Sequence, residues 1–381
     1  MPDRVIPYGR QSIDEDDIAA VVEVLRSDFL TTGPAVEAFE RRIEGASGAR
    51  RAVAVSSGTS ALHAMYFGAG LSAGDEIVTS PLTFAATANA ALYLGATVRF
   101  VDVRADTGNI DPAAVEASMR PRTRFIVAVD YAGHPADYDE LRDIAAARGV
   151  ALLADAAHSF GATYRGRKVG TLAAASALSF HPVKPITTGE GGAVVTDDDA
   201  IADRAELFRT HGITRDPALM ERNDGPWHYE QHDLGFNYRM TDLQAALGAS
   251  QLRRIDGFLQ RRRAIAARYL EAWADIPALT LPAIHEEVEA GWHLFVVRVA
   301  DASRRRAFFD RLRERGLGVQ VHYIPVHHHP YYRELGFAAG TCPVAEDFSA
   351  RAVSLPIFPR MSDGDIERVV EVVRSAAADT L

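Results

Sequence analysis

Short apolar runs at Ala52–Val55, Glu76–Thr79, Thr97–Val101, Phe125–Val129, Val150–Ala154, Ala175–Phe180 and Ala193–Thr196 alternate with helical patterns through the first half of the chain. Strands separated by crossing helices can only neighbour one another in a largely parallel sheet with helices on both faces, so the fold class is α/β. A continuous apolar run such as Ala151-Leu152-Leu153-Ala154 reads as a strand buried on both sides. Open sheets of this kind bind ligands beyond the carboxyl ends of their strands, and the residues that follow these runs are therefore the candidates for chemistry.

Thr241 to Trp273 reads as one long helical stretch that carries the chain out of the sheet-bearing unit, with Leu243, Leu247, Leu252, Ile255, Leu259, Ile265 and Tyr269 at helical spacing. After Pro277 and Pro282 the pattern restarts. It predicts a strand at His293–Val299, a helix from Ser303 to Arg315, a strand near Val319–His322, and helices at Val344–Ala352 and Asp363–Ser375. At 381 residues the chain exceeds the usual size of one growing core. The expectation is a large domain over residues 1–245, including an N-terminal substrate-contacting segment, and a smaller α+β domain over residues 246–381.

A formal net charge of -10 disfavours nonspecific binding to nucleic acid or to an anionic membrane surface, and leaves room only for a local phosphate pocket. Cys342 is the only cysteine, and Met1 to Arg10 lacks the apolar core of a signal peptide. No uncharged apolar run approaches bilayer-spanning length. A cytoplasmic protein is the expectation.

Lys184 follows Ser179-Phe180-His181-Pro182-Val183 and precedes Thr187-Thr188-Gly189-Glu190-Gly191-Gly192, a polar-edged turn between two apolar runs. A lysine desolvated there loses part of its preference for the ammonium form and gains a free amine that attacks carbonyls. Asp155 ends the Ala151–Ala154 run, with Ala156-Ala157-His158 after it. An aldehyde-binding amine and a carboxylate for a pyridinium nitrogen are the two protein groups that pyridoxal 5'-phosphate (PLP) requires. Ser57-Gly58-Thr59-Ser60 follows the first run and opens a helix, whose unpaired N–H groups suit a phosphate. Ordinary helix capping explains those hydroxyls equally well. Phe84 is either core or a stacking ring, and His158 either a satisfied buried histidine or a ring contact.

Ser57–Leu62, Asp155–His158, Ser179–Lys184, Gly189–Gly192 and Gly235-Phe236-Asn237-Tyr238-Arg239-Met240 together resemble, in order, the signature of the DegT/DnrJ/EryC1/StrS nucleotide-sugar aminotransferases. The resemblance implies a fold-type-I PLP-dependent transferase with the aspartate aminotransferase-like fold. It implies that Lys184 bonds the cofactor aldehyde, that Asp155 pairs with the ring nitrogen, and that His158 lies near the ring. Thr59, Ser60 and Ser179 would hold the phosphate and Phe84 would stack on the ring. Asn237 would reach into a neighbouring subunit, so a homodimer with shared active sites is implied. Ile6–Gln11, Asp28–Pro34 and His322–His327 are most similar to one branch of the family. That branch moves an amino group from L-glutamate to C4 of a UDP-4-keto-6-deoxy-N-acetylhexosamine, giving UDP-4-amino-4,6-dideoxy-N-acetyl-β-L-altrosamine for pseudaminic acid. Tyr8, Leu30, Thr31, Ser57, Asn237 and Tyr323 would then contact the sugar nucleotide.

The competing readings are an aminotransferase acting on another UDP- or dTDP-keto sugar, a sugar dehydratase, and a silent sugar-nucleotide-binding or regulatory protein. Lys184 disfavours the dehydratase, because in that branch histidine replaces the lysine. His327-His328-His329 lacks a Cys/His or H-E-x-x-H framework, so no metal site is expected and the triplet reads as a loop over a pocket. Arg261–Arg263 and Arg304–Arg306 read as solvated helix faces.

Overall fold

The computed structural model describes residues 5–381; residues 1–4 of the expected first domain lie outside the described residues. A seven-stranded sheet runs in the spatial order Arg51–Val55, Gly192–Thr196, Ala175–Ser179, Ala151–Asp155, Thr123–Val129, Glu76–Thr79, Thr97–Phe100. Gly192–Thr196 is antiparallel to both of its neighbours, and the remaining pairings are parallel. The sheet is thus mostly parallel, as the alternation of runs predicts. Helices lie on both faces, and Ala175–Ser179 and Gly192–Thr196 are buried at every position. Asp155 is the last residue of its strand and pairs in register with Val129 and Ala177. Ser179, one strand over, ends at the same sheet edge.

The second half of the chain builds a three-stranded antiparallel sheet from Leu279–Thr280, Phe295–Val299 and Ala352–Leu355, backed by helices Arg305–Glu314, Pro343–Arg351 and Asp363–Thr380. Its inner residues Phe295, Val297, Val353 and Leu355 join Ile126, Leu152, Tyr269 and Trp273 in one apolar cluster. That shared burial holds the small sheet against the large one.

Two expectations need correction. The long helix is two helices, Asp242–Leu252 and Ile255–Trp273. Arg254 leaves helical geometry (φ -114, ψ 5), and its guanidinium is drawn to Asp14 at 2.7 Å and to the buried Asp17. Apolar periodicity runs through the break because both halves bury the same kind of face. The Val319–His322 strand does not form either: pairing stops at Leu317–Gly318, which lies parallel to Ile6–Pro7, and Gln320 makes only an isolated bridge to Ser354. Beyond it the His322 carbonyl is taken by the Tyr131 hydroxyl instead of a ladder partner. Among the described residues no helix is long and apolar enough to cross a membrane.

Candidate active site

A cavity of about 480 Å³ opens at the carboxyl edge of the large sheet and is closed on its far side by the small one. Asp155, His158, Ser179, Lys184, Ser57, Thr59, Phe84, Tyr8 and Tyr323 all line it. Residues separated by more than 300 positions are therefore brought to one chamber. Phe84 stands at the mouth, 65 % exposed. Ser60 is buried just behind the lining, with its hydroxyl 2.8 Å from that of Ser57. Leu30, Thr31 and Asn237 are exposed and do not line the cavity of the single chain; Thr31 bridges to Thr241, and Asn237 to Thr210.

Ser57 caps the helix Gly58–Gly68 through the Ser60 amide at 3.0 Å, so the first turn of that helix faces the cavity. Gly58 is required here by close approach. A Cβ at this position would lie 2.8 Å from the Ser179 Cβ. The hydroxyls of Ser57, Thr59 and Ser179 and the helix N-terminus thus form one anion-favouring cradle.

The Lys184 amine has no hydrogen bond or ion pair among the described residues, although it is enclosed in the cavity. Burial pushes its amine down to about 8, and the charge of Asp155 works in the opposite direction. Asp155 is pushed up by burial and pulled back by the Thr87 hydroxyl at 2.6 Å, the Ala157 amide at 3.2 Å and the charge of Lys184. The amine and the acid feel each other without forming a contact pair, which leaves a gap between them. His158 is held well below the ordinary histidine value by burial and then by the nearby charges of Lys184 and His322. Its Nε2 lies 3.0 Å from the Tyr323 hydroxyl.

The structure adds residues that local sequence reading missed. Thr83 and Thr87, on the turn and helix beneath Phe84, form a hydroxyl chain 2.6 Å apart that ends on Asp155. His293 and His322, from the small sheet side, line the cavity with both rings held below their ordinary range, His322 at about 4. A threonine one helical turn after Thr83 carried a weak signal; the two histidines carried none, because the cavity groups they meet, Lys184 and His158, lie more than 100 positions away.

Two clusters also need correction. Arg262 is not solvated: it is 1 % exposed and donates to backbone carbonyls. The histidine triplet is not a lid on the cavity. His327 is fully buried, packs toward Phe100, and meets the Glu346 carboxylate at 2.8 Å. That carboxylate also accepts the Gly340 and Cys342 amides, so the group clasps the start of helix Pro343–Arg351.

Residues 11–374 match the DegT/DnrJ/EryC1/StrS aminotransferase family. The chain belongs to this family. Its fold is accordingly the PLP-dependent fold type I, and its cofactor is PLP. The chain is 40% identical to the spore coat polysaccharide biosynthesis protein SpsC of Bacillus subtilis over 374 residues, 97% of this chain and 96% of that protein. Among solved structures it resembles Helicobacter pylori PseC, an aminotransferase involved in the biosynthesis of pseudaminic acid, with a TM-score of 0.93 and 32% identity over 99% of this chain and 100% of that one. It also resembles the PLP form of the Streptococcus pneumoniae sugar aminotransferase Spr1654, with a TM-score of 0.92 and 29% identity over 99% of this chain and 100% of that one. The residues present suit PLP: an amine without a partner, a buried acid with no cation in contact, and a hydroxyl-lined helix N-terminus share one chamber.

Proposed function

We propose that this aminotransferase moves an amino group from L-glutamate to C4 of a UDP-4-keto-6-deoxy-N-acetylhexosamine, giving UDP-4-amino-4,6-dideoxy-N-acetyl-β-L-altrosamine for pseudaminic acid. The observation that carries the reading is full-length likeness to PseC combined with a cavity that Lys184 and Asp155 both line without pairing to each other. When bound, PLP supplies an aldehyde that exchanges amines and a conjugated ring that takes up the electron pair released when a C–H bond ionises.

The protein groups do the rest. Lys184 Nζ would hold the cofactor aldehyde and, as a free amine, would carry the proton taken from the donor α-carbon. An amine lowered to about 8 is suited to both steps near neutral pH. Asp155 would hold the ring nitrogen in its protonated form, with the Thr87 hydroxyl and the Ala157 amide favouring the ionised acid. Thr59, Ser179 and the N-terminus of helix Gly58–Gly68, with Ser60 bonded behind Ser57, would hold the phosphate. Phe84 would cover the ring, and His158, bonded to Tyr323, would lie beside it. Tyr8, Tyr323 and Ser57 meet the sugar nucleotide.

Leu30, Thr31 and Asn237 belong to this site only if a second copy completes it. Exposed Phe29, Leu30, Trp227, Leu234 and Phe236 give such a homodimer its apolar contact. The experiment is mass analysis of a panel of UDP- and dTDP-keto sugars incubated with the PLP-loaded protein and glutamate. Amination of the UDP-4-keto-6-deoxy-N-acetylhexosamine in preference to the others supports the reading. The 40% identity to SpsC favours a second reading, a keto sugar of another surface polysaccharide, and preference for a dTDP substrate would select it.

A further inference from the structure

Arg262 has no role in the chemistry above, yet it is the most deeply buried arginine against the cavity walls. Its neighbours on helix Ile255–Trp273 reach carboxylates, Arg261 to Asp363 at 2.7 Å and Arg263 to Glu289 at 2.5 Å. Arg262 has no carboxylate partner among the described residues. Its Nη1 donates to the carbonyls of Trp292 (3.1 Å), His293 (3.3 Å) and Ile357 (3.0 Å), and its Nη2 to that of Val183 (3.4 Å). Burying a cation without a counter-ion is costly, and carbonyl dipoles only partly offset the lost hydration. Burial lowers it to about 10, so it stays charged at neutral pH.

The four carbonyls come from three separate segments around the cavity, Val183, Trp292-His293 and Ile357. Val183 precedes Lys184. His293 lines the opposite side. Ile357 donates its amide to the Tyr8 carbonyl at 3.0 Å, and Tyr8 lines the cavity as well. His293 is clamped from its other side by Gly133, whose backbone has a φ of +94 and leaves no room for a side chain: a Cβ would sit 2.9 Å from the His293 amide and from the His158 carbonyl. The Gly291 amide and the Leu294 amide bond the carbonyls of Gly133 and Ala132, at 2.8 and 3.2 Å. The His293 ring therefore stands fixed, 4.4 Å from that of His158, with its Nδ1 unpartnered. Burial first, and then the charges of Lys184, His158, Arg262 and His322, hold it well below the ordinary histidine value; Asp155 and Tyr323 complete that end of the chamber.

We propose that Arg262 is a positioning residue of this site: it ties the Lys184 turn to the His293 and Tyr8 walls, and its fixed charge adds to burial and to Lys184 in disfavouring a second cation on the His293 imidazole. The proposal rests on the reading of Lys184 as the reacting amine. A neutral pair leaves the Lys184 amine as the group that takes up the substrate proton, and it stops the imidazoles from adding charge beside the ring that Asp155 polarises.

The test compares Arg262→Lys, which keeps the charge and loses the fork, with Arg262→Met, which loses both. Histidine ¹⁵N spectra of the full chain without cofactor, with His293 assigned through His293→Gln, follow its protonation directly. Wild type is expected to be neutral at pH 6. Arg262→Met is expected to raise the His293 midpoint by about one unit, tenfold in proton affinity, and to introduce an acidic limb in the glutamate half-reaction. Arg262→Lys is expected to slow that half-reaction without moving the midpoint. Equal midpoints in the two variants would overturn the proposal. So would a wild-type His293 already protonated at pH 6, a result that needs no variant to fold. Absence of turnover with any amino donor would instead count against the aminotransferase reading, while the spectra decide the role of Arg262 independently.

Discussion

Thr87→Val isolates the support under Asp155 without touching the acid. The Thr87 hydroxyl donates to Asp155 Oδ2 at 2.6 Å and accepts from Thr83 at the same distance, and both threonines are buried. Valine keeps nearly the same shape and removes the donor. A hydrogen bond to a charged group contributes about 1.5–3 kcal/mol, which corresponds to roughly one to two pKa units at about 1.4 kcal/mol per unit. Burial already raises the Asp155 carboxyl, and losing its principal donor raises it further. The ionised acid is the working form, and activity falls as pH drops through its pKa. The acidic limb should therefore move to higher pH by about one to two units, with the glutamate half-reaction slowed about 10- to 100-fold below it. Stopped-flow absorbance of the PLP-loaded protein across pH 5 to 9 measures both. A limb that stays in place, with rates within about twofold of wild type, would refute the idea that Thr87 tunes Asp155.

Lys184→Ala should leave a folded protein whose bound cofactor cannot be fixed covalently by borohydride, read by intact mass; a labelled product would remove Lys184 from its role. Gly58→Ala forces a Cβ to within 2.8 Å of Ser179 and should strain the phosphate cradle by about 1–3 kcal/mol, weakening PLP binding roughly tenfold or more in a fluorescence titration. Glu76 is 1 % exposed and paired at 3.0 Å with both Arg99 and Arg122, which hold its carboxyl below the usual range against the pull of burial. Its contribution is present above the unfolded value near 4.5 and is lost as pH falls through the lower folded value. Glu76→Ala should cost about 3–5 kcal/mol in urea unfolding at pH 7, a difference that narrows in acid.

The sheet was legible because buried strands write themselves locally: each run from Ala52–Val55 to Ala193–Thr196 reappears within a residue or two. Lys184 and Asp155 were legible for a related reason, since each follows such a run and so falls at the ligand-bearing edge. The break at Arg253–Arg254 was invisible, because apolar spacing continues across it and the partners of Arg254 there, Asp14 and Asp17, are remote in sequence. The Val319–His322 segment had strand composition, but it pairs at a single position, Gln320 with Ser354.

From the order of residues alone follow the alternating strands and helices, the reactive amine and its acid, and the family they point to, because these depend on short-range pattern. Tertiary structure decided that Arg262 is buried while Arg261 and Arg263 reach carboxylates, that Thr87 supports Asp155, and that His293 stands beside His158. Charge state and hydrogen bonding depend on what is packed nearby, and for these groups the neighbours come from remote parts of the chain.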